Sequence, residues 1–380
     1  MPPFTLLVKP SGSDCNIDCT YCFYKCRAPE VGQGRQRMSD EVLDRLVKDY
    51  LELRFPLSGF AWQGGEPTLM GLDFYRRLVE LQKRYGAPGQ EVSNSLQTNA
   101  ILLNNAEWCR FLRENRFLVG VSIDGPKELH DHYRLDLGGH GTWDRVMAAI
   151  DRMKESGVEY NTLTLVNHLT ADHADEIFDF LVGLGIRYLQ FIPCVEVDSQ
   201  SGQVAEFSVT PMQYGDFLCR LFDRWMAFGP QRLSIRDFDS ILGHCISGRH
   251  TICTFDRQCS QYIVVEHTGD VFPCDFFVEP QWRLGNIFET PIGQLATCEK
   301  KKSFARMKSD LVNKCLVCRH LAVCRGGCMK DRAPFEKNNC GREGYFCEGY
   351  RRFFDYAMPR FLQVAARIRA GDLVRPERLT

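Results

Sequence analysis

Three cysteines near the N-terminus constrain this chain more than any other feature of its sequence. Cys15, Cys19 and Cys22 have the spacing C-x3-C-x2-C. Three thiolates can hold three corners of a cubane iron–sulfur cluster, whereas an electron-carrying cluster normally takes four. The missing fourth ligand leaves one iron open to a substrate, as in a catalytic zinc site. The spacing therefore predicts a chemically active cluster, with half of a zinc site or three unrelated thiols as the alternatives.

The abundance of cysteine indicates metal binding rather than secretion. The 380 residues include 18 cysteines and carry a net charge of −1. Disulfide-rich secreted proteins are usually small and begin with a signal peptide, and residues 1–10 lack that pattern. No run approaches the roughly 18 apolar residues that span a bilayer. The balanced charge favours neither nucleic acid nor an acidic membrane as partner. We therefore expect a cytoplasmic protein whose cysteines bind metal.

The first 230 residues alternate between β-rich apolar runs and amphipathic helical patterns. This alternation predicts repeated βα units and a parallel sheet. Six such units suit an open, partial (β/α) barrel, in which the chemistry lies at the C-terminal ends of the strands. The predicted strands are 4–8, 59–63, 92–97, 118–123, 160–166 and 188–192, and the predicted helices are 40–53, 72–85, 106–114, 142–156, 171–184 and 211–228.

The pattern changes after about residue 245. Eleven of the 18 cysteines lie between Cys245 and Cys347, and the apolar periodicity there is weak. We expect metal ligation rather than a large apolar core to hold this segment, which has short β-like pieces at 262–266 and 270–272. A helical pattern returns at 351–369. These changes predict three parts, which are 1–235, 236–350 and 351–380.

Polar residues follow several of the predicted strands. Gly64 and Gly65 end the second strand, and consecutive glycines let the backbone approach a ligand closely and expose its amide groups. Ser122 ends the fourth strand and Arg134 follows it. A hydroxyl and a guanidinium suit a carboxylate-bearing ligand, although a helix cap and a surface ion pair are the alternative. Residues 95–99 close the third strand with more polar side chains.

The C-terminal cysteines form a second strong pattern. Seven of them follow one pattern. Cys259 and Cys274 have the spacing C-x9-G-x4-C, the four cysteines from Cys315 to Cys328 have the spacing C-x2-C-x5-C-x3-C, and Cys347 is the seventh. With Cys253, eight thiolates are available, enough for two fully ligated cubane clusters. Two tetrathiolate zinc sites would use the same C-x2-C spacing. Cys26 lies outside the three-ligand spacing and is predicted to be a free or packed thiol. Most of the other cysteines without a motif are predicted to be packed thiols, with a ligand role left open for Cys340; they are Cys109, Cys194, Cys219, Cys245, Cys298 and Cys340.

Together these patterns resemble the radical S-adenosylmethionine (SAM) superfamily. The Cys15–Cys22 segment resembles its cluster signature, the Gly-Gly-Glu-Pro string resembles its SAM-binding element, and the seven-cysteine spacing is similar to that of the SPASM domain. The 95–99 segment is similar to another polar element of the family. This chain departs from it at Ala100, where the family usually has glycine. The resemblance implies a partial (β/α)6 TIM-like barrel of the α/β class with a C-terminal SPASM domain. It also implies three [4Fe-4S] clusters, of which the first binds SAM through its open iron.

Roles of individual residues follow only from this resemblance. The first cluster would be held by Cys15, Cys19 and Cys22, and SAM would contact Tyr21, Gly65, Ser122, Arg134 and Val195. The nearer auxiliary cluster would be held by Cys253, Cys259, Cys274 and Cys328, and the outer one by Cys315, Cys318, Cys324 and Cys347.

Longer strings are similar to the anaerobic sulfatase-maturating enzymes, at residues 6–10, 60–68, 94–99, 117–126, 282–286 and 353–360. This likeness implies oxidation of one Cys or Ser side chain to Cα-formylglycine, in an unfolded sulfatase with a Cys/Ser-x-Pro-x-Arg-type motif. A 5′-deoxyadenosyl radical would remove a β-hydrogen. Asp275, directly after Cys274, would take the thiol or hydroxyl proton, and the surplus electron would leave through the nearer auxiliary cluster. A flavodoxin or ferredoxin would supply electrons to the first cluster.

Two other functions stay open at this point. One is a SPASM enzyme that modifies or cross-links another ribosomal peptide. Such enzymes often carry an N-terminal peptide-binding domain, whereas fourteen residues precede Cys15 here. The other is a non-enzymatic, zinc-bearing interaction protein, which would be colourless and would not cleave SAM.

Overall fold

The computed structural model describes residues 1–24, 35–198, 201–332 and 343–373. The chain divides into two compact units. The first comprises Met1–Ser122, Arg134–Tyr160 and Cys259–Arg306, and the second comprises Ile123–Tyr133, Asn161–Gln258 and Met307–Thr380. Within the described ranges, every helix is too short or too polar to cross a membrane.

Strands and helices alternate through the first 228 residues, as the periodicity predicts. The strands are β1 (Thr5–Lys9), β2 (Leu57–Trp62), β3 (Glu91–Thr98), β4 (Leu118–Ser122), β5 (Tyr160–Val166), β6 (Tyr188–Pro193), β7 (Ser234–Ile235), β8 (Tyr262–Glu266), β9 (Asp270–Phe272) and β10 (Gly285–Asn286). The helices are α1 (Asp40–Leu51), α2 (Leu72–Tyr85), α3 (Ala106–Glu114), α4 (Lys127–Tyr133), α5 (Trp143–Ser156), α6 (Ala174–Gly183), α7 (Pro211–Phe228), α8 (Arg236–Ser247), α9 (Ile292–Thr297), α10 (Glu299–Met307), α11 (Asn313–Leu316), α12 (Leu321–Cys324) and α13 (Cys347–Arg369).

Helix ends in the first unit follow local chemistry. The Ser39 side chain caps α1 by accepting a hydrogen bond from the backbone N–H of Val42. Gly157 ends α5 in the left-handed conformation, with φ of 69°, which glycine adopts at little cost. Serine before a helix and glycine directly after one are the residue types that favour these two ends.

The sheet of the first unit contains four parallel strands in the order β1-β2-β3-β4. Strand β8 extends it on the other side of β1, in parallel register from Thr5 opposite Tyr262 to Lys9 opposite Glu266. Strands β9 and β10 continue this edge in antiparallel pairings. Val264 in β8 is fully buried. The expectation that metal ligation holds this segment is therefore wrong for β8, which hydrogen bonding and apolar packing hold in the main sheet.

In the second unit, β5, β6 and β7 form parallel pairs, and helices α7, α8 and α13 pack against one another. Thr210 and Gln213 form a reciprocal capping box at the start of α7, where Pro211 occupies the first turn. The core between these three helices is aromatic: rings of α7, α8 and α13 contact one another edge to face, tilted or stacked. The contacting side chains are Phe222, Trp225, Phe238, Phe353 and Phe361.

Helices α7 and α13 approach so closely that their contact needs glycine. A Cβ added to Gly349 would lie 2.0 Å from the carbonyl oxygen of Pro211. We expect Gly349→Ala to lower the free energy of unfolding by about 2 kcal/mol, because the helices must separate. Gly183→Ala is the control, since nothing lies within 4 Å of its Cβ. Denaturant titration measures both, and equal stability of the two variants would contradict this account of the helix contact.

A stacked histidine pair in the second unit predicts acid sensitivity. The rings of His244 and His250 lie 4.3 Å apart and are inclined by 5°. Burial, together with repulsion from His244, lowers the pKa of His250 to about 4. The folded pKa lies below the unfolded value, so between about pH 6.5 and 4 the unfolded chain binds more protons, and stability falls as pH falls through that window.

His250→Phe should therefore lose less thermal stability than the wild type between pH 7 and 5. The exposed His168 is the control position. Melting temperatures are measured at both pH values. If the fall in melting temperature from pH 7 to pH 5 is the same in His250→Phe as in the wild type, His250 is not the group responsible.

Candidate active site

The first cysteine motif forms a loop directly after β1. Cys19 is buried, whereas Cys15 and Cys22 are half-buried. The Asn99 amide lies 3.8 Å from the Cys15 sulfur and donates to the Asn16 side-chain oxygen at 2.7 Å. Burial raises the pKa of the Cys15 thiol to about 12. A free thiol with that pKa stays protonated at neutral pH, so a bound metal is what would hold it as a thiolate.

The Gly-Gly-Glu segment ties the cysteine loop to the sheet. The N–H of Gly65 donates to the Gly12 carbonyl, and that of Glu66 donates to the Asp14 carbonyl, both at 2.8 Å. A Cβ at Gly65 would lie 2.1 Å from the Asp14 carbonyl oxygen. The expectation that these glycines expose their amides is thus wrong for Gly65, whose close approach is to the cysteine loop. Its predicted contact with SAM stays a prediction.

Glu66 is a buried connector rather than a surface acid. Its carboxylate accepts hydrogen bonds from the Thr68 N–H at 2.9 Å, the Thr98 hydroxyl at 2.7 Å and the Asn99 N–H at 2.8 Å. Burial raises the Glu66 pKa, and the hydrogen bonds from Thr68 and Asn99 oppose that shift. Glu66 thereby connects the end of β2 to the end of β3, beside Cys15.

Of the other residues predicted to bind SAM, Ser122 lies at a strand end, whereas Tyr21 lies in the cysteine loop and Arg134 directly follows α4. The Arg134 guanidinium is buried and donates to the Tyr21 hydroxyl at 3.1 Å, so these two predicted contacts adjoin each other. Ser122, at the end of β4, accepts from the Gln97 amide of β3 at 2.9 Å. Val195 belongs to the second unit, where it is buried and its carbonyl accepts from Lys330. Arg134 with Tyr21, and Ser122 with Gln97, thus form two hydrogen-bonded pairs of polar side chains in the first unit.

Asp275 lies in a buried polar cluster that spacing alone does not reveal. Its carboxylate is 2.5 Å from the Lys9 ammonium and accepts from the Tyr24 hydroxyl at 3.2 Å and the Gln63 amide at 3.1 Å. Lys9 also lies 3.2 Å from Glu266, its register partner on β8. Three side chains, those of Lys9, Tyr24 and Gln63, therefore fix the Asp275 carboxylate immediately after the predicted ligand Cys274.

The electrostatics of this cluster favour charged Lys9. Burial disfavours the Lys9 ammonium, but the Asp275 and Glu266 carboxylates outweigh it and raise the Lys9 pKa. For Glu266, burial is likewise outweighed by Lys9, and its pKa is lowered. Burial, followed by the negative charge of Asp275, raises the Tyr24 pKa, so this hydroxyl is a hydrogen-bond donor at neutral pH. In the sequence, Lys9 is marked by its position at the end of an apolar strand and by the 6–10 string that resembles the sulfatase-maturating enzymes.

Removing the Lys9 ammonium should destabilise the protein strongly. Lys9→Met would leave Glu266 and Asp275 buried without this cation, which typically costs about 3–5 kcal/mol. Lys48→Met is the control, because Lys48 is exposed on α1. Urea unfolding of the two variants gives the difference. A Lys9→Met protein as stable as Lys48→Met would show that the ion pair adds nothing to stability.

The four predicted ligands of the outer cluster share one cavity in the second unit. Cys315, Cys318, Cys324 and Cys347 line a space of about 360 Å³, walled by Phe346, Tyr350 and Phe354 among others, and Cys328 borders it too. Burial raises the thiol pKa of Cys324 to about 11 and that of Cys347 to about 12. Four half-buried thiols around one cavity suit a metal cluster, which would hold them as thiolates.

The predicted ligands of the nearer auxiliary cluster are divided between the units. Cys259 and Cys274 belong to the first unit and Cys253 and Cys328 to the second, and their assignment as a set stays a prediction. Among the described residues, no three His, Cys, Asp or Glu side chains are grouped as for a single metal ion. The cysteines without a motif are buried at Cys109, Cys194 and Cys219 and half-buried at Cys245 and Cys298, and Cys26 and Cys340 lie outside the described residues.

Comparisons with known proteins match both regions of the sequence. The radical SAM superfamily matches residues 10–181, and the SPASM iron–sulfur cluster-binding domain matches residues 253–319. The cysteine-type anaerobic sulfatase-maturating enzyme of Clostridium perfringens is 38% identical over 372 residues, covering 97% of this chain and 100% of that protein. The serine-type enzyme of Bacteroides thetaiotaomicron is 37% identical over 376 residues, covering 94% and 90%.

Solved structures give the same result. Native anSMEcpe with bound AdoMet and Cp18Cys peptide has a TM-score of 0.89 and 38% identity, covering 96% of this chain and 99% of that one. Streptococcus suis SuiB bound to S-adenosylmethionine has a TM-score of 0.65 and 17% identity, covering 91% and 77%. The second likeness concerns the fold alone.

Proposed function

Because this chain belongs to the anaerobic sulfatase-maturating enzymes of the radical SAM superfamily, we propose that it oxidises one cysteine or serine side chain of a sulfatase to Cα-formylglycine. The observation that carries this proposal is the Asp275 carboxylate, held by Lys9, Tyr24 and Gln63 next to Cys274. When bound, SAM and three [4Fe-4S] clusters supply hydrogen-atom abstraction and a place for the surplus electron.

Residues of this chain carry out the proton transfer and position the base. Asp275 takes the proton of the substrate thiol or hydroxyl as the carbon–heteroatom double bond forms. Lys9 and Gln63 fix its carboxylate, and the Tyr24 hydroxyl donates to the same oxygens. Loss of a β-hydrogen, a proton and an electron converts serine directly to the aldehyde. Cysteine gives a thioaldehyde, which water hydrolyses to the aldehyde with release of hydrogen sulfide.

Binding of the cofactors is proposed for the residues described above. Cys15, Cys19 and Cys22 would hold the SAM-binding cluster, and the buried Arg134–Tyr21 pair supports SAM binding nearby. The shared cavity supports a cluster on the four outer cysteines. We also propose residues 1–235 as the catalytic barrel, 236–350 as the cluster-binding part and 351–380 as the C-terminal helix and tail.

The partners and compartment follow from this chemistry. The substrate would be an unfolded sulfatase segment with a Cys/Ser-x-Pro-x-Arg-type motif, because the reacting side chain must reach a base that is itself buried. A flavodoxin or ferredoxin would supply the reducing electron. Thiolate-bound clusters need a reducing compartment, which we propose to be the cytoplasm.

The experiment combines the purified, anaerobically reconstituted protein with SAM, dithionite and two peptides, one with Cys-x-Pro-x-Arg and one with Ser-x-Pro-x-Arg. Mass spectrometry of the peptides and chromatography of 5′-deoxyadenosine give the readouts. We expect the mass change for conversion of the reacting side chain to an aldehyde in at least one peptide. Release of 5′-deoxyadenosine without any peptide change would contradict the maturase function and favour another ribosomal peptide as substrate.

A further inference from the structure

A buried lysine holds the backbone beside two predicted cluster ligands in the first unit. Lys301, on α10, is 4% exposed. Its ammonium donates to the carbonyl oxygens of Cys259 at 2.9 Å, Tyr262 at 3.0 Å and Pro273 at 3.0 Å. Cys259 is a predicted ligand, and Pro273 directly precedes the predicted ligand Cys274. One side chain therefore fixes both ligand-bearing segments.

The number of these hydrogen bonds defines the charge of Lys301. A lysine ammonium has three N–H donors, whereas a neutral amine has only two. Three carbonyl acceptors within 3.0 Å use all three donors of the ammonium. Lys301 therefore places a positive charge in the protein interior, against the backbone of two predicted ligands.

A second buried lysine contacts two backbone carbonyls beside predicted ligands within the second unit. Lys308 is 1% exposed and donates to the carbonyl oxygens of Thr254 at 2.8 Å and Gly327 at 2.6 Å. Thr254 directly follows the predicted ligand Cys253, and Gly327 directly precedes the predicted ligand Cys328. Each of the two lysines thus contacts carbonyls at or beside two of the four cysteines assigned to the nearer auxiliary cluster.

We propose that each of these two lysines is a positioning residue that raises the reduction potential of the auxiliary cluster bound by the cysteines beside it, which are Cys259 and Cys274 for Lys301 and Cys253 and Cys328 for Lys308. Reduction adds a negative charge, and a buried cation stabilises that charge because the interior screens it weakly. A cluster with a raised potential accepts the electron released during substrate oxidation more readily. This inference rests on the proposed function, which assigns these cysteines as ligands.

The test is a redox titration of reconstituted full-length protein followed by electron paramagnetic resonance. A background with Cys15→Ala, Cys19→Ala and Cys22→Ala confines the signals to the auxiliary clusters. In K301Q and K308Q we expect one cluster to become harder to reduce, with at least a tenfold higher oxidised-to-reduced ratio at a fixed potential, or about 59 mV. K301R should keep the wild-type potential.

Lys302→Gln is the matched control, because Lys302 is adjacent in sequence but exposed and paired with Glu299. Its potentials should equal those of the wild type. Iron content is measured in every variant, and should K301Q bind less iron, the potential of K308Q decides. Full iron with unchanged potentials in both K301Q and K308Q would overturn the proposal. Full iron in a Cys274→Ala variant would instead overturn the ligand assignment, so the two failures are distinguishable.

Discussion

Asp275→Asn is expected to stop peptide oxidation while 5′-deoxyadenosine is still released. Asparagine keeps the size of the side chain but cannot take the substrate proton. Loss of a positioned general base typically lowers the rate by about 100-fold or more. Lys9 keeps Glu266 at 3.2 Å, so we expect this variant to fold. Peptide mass and 5′-deoxyadenosine, measured in the same reaction, separate the two steps.

The conservative variant Asp275→Glu is the comparison for this experiment. It restores a carboxylate but displaces it from Tyr24 and Gln63, so oxidation should recover in part. Iron content must match the wild type, because Asp275 adjoins Cys274. Peptide oxidation at the wild-type rate in Asp275→Asn would remove the assignment of Asp275 as base and leave it a structural partner of Lys9.

Cys15→Ala should abolish release of 5′-deoxyadenosine altogether. Two remaining cysteines cannot hold the SAM-binding cluster in its normal ligation, and without that cluster no electron reaches SAM. Peptide oxidation should be lost with it. We expect the bound iron to fall by about one third, because two of three clusters remain. Iron analysis, the visible absorption of the clusters and product chromatography provide the measurements.

Cys109→Ala is the matched control, since Cys109 is a buried thiol outside both cysteine motifs. It should keep full iron and full SAM cleavage, with only the modest loss of stability expected for a small cavity. If Cys15→Ala retains SAM cleavage, or if Cys109→Ala loses it, the assignment of the N-terminal motif is wrong.

Local features of this fold could be predicted because their causes are local. Ser39 and Gly157 mark helix ends through their own backbone and side-chain chemistry. The predicted helix 171–184 begins as a 3-10 turn, Thr170–His173, because Asn167 accepts from the N–H groups of Leu169 and Thr170. The place of β8 beside β1 could not be predicted, because strand pairing between distant segments leaves no trace in periodicity.

The same distinction applies to the active site. Asp275 could be singled out by its position after Cys274 and by family resemblance. Its partners Lys9, Tyr24 and Gln63 are more than 200 residues away in sequence, and only the folded chain brings them together. At Gly65 the sequence predicts a close approach of the backbone but not its partner, because the need for glycine at contact with Asp14 arises only in the folded chain.

The pairing of β1 with β8 has a consequence for biosynthesis. The paired residues are about 250 positions apart, so the first strand leaves the ribosome long before its neighbour is translated. Until then β1 exposes an unpaired edge, and Lys9 lacks both Glu266 and Asp275. A fragment ending at residue 235 would keep that open edge permanently. We therefore expect a fragment that lacks the cysteine-rich segment to be less stable and more prone to aggregation than the full chain.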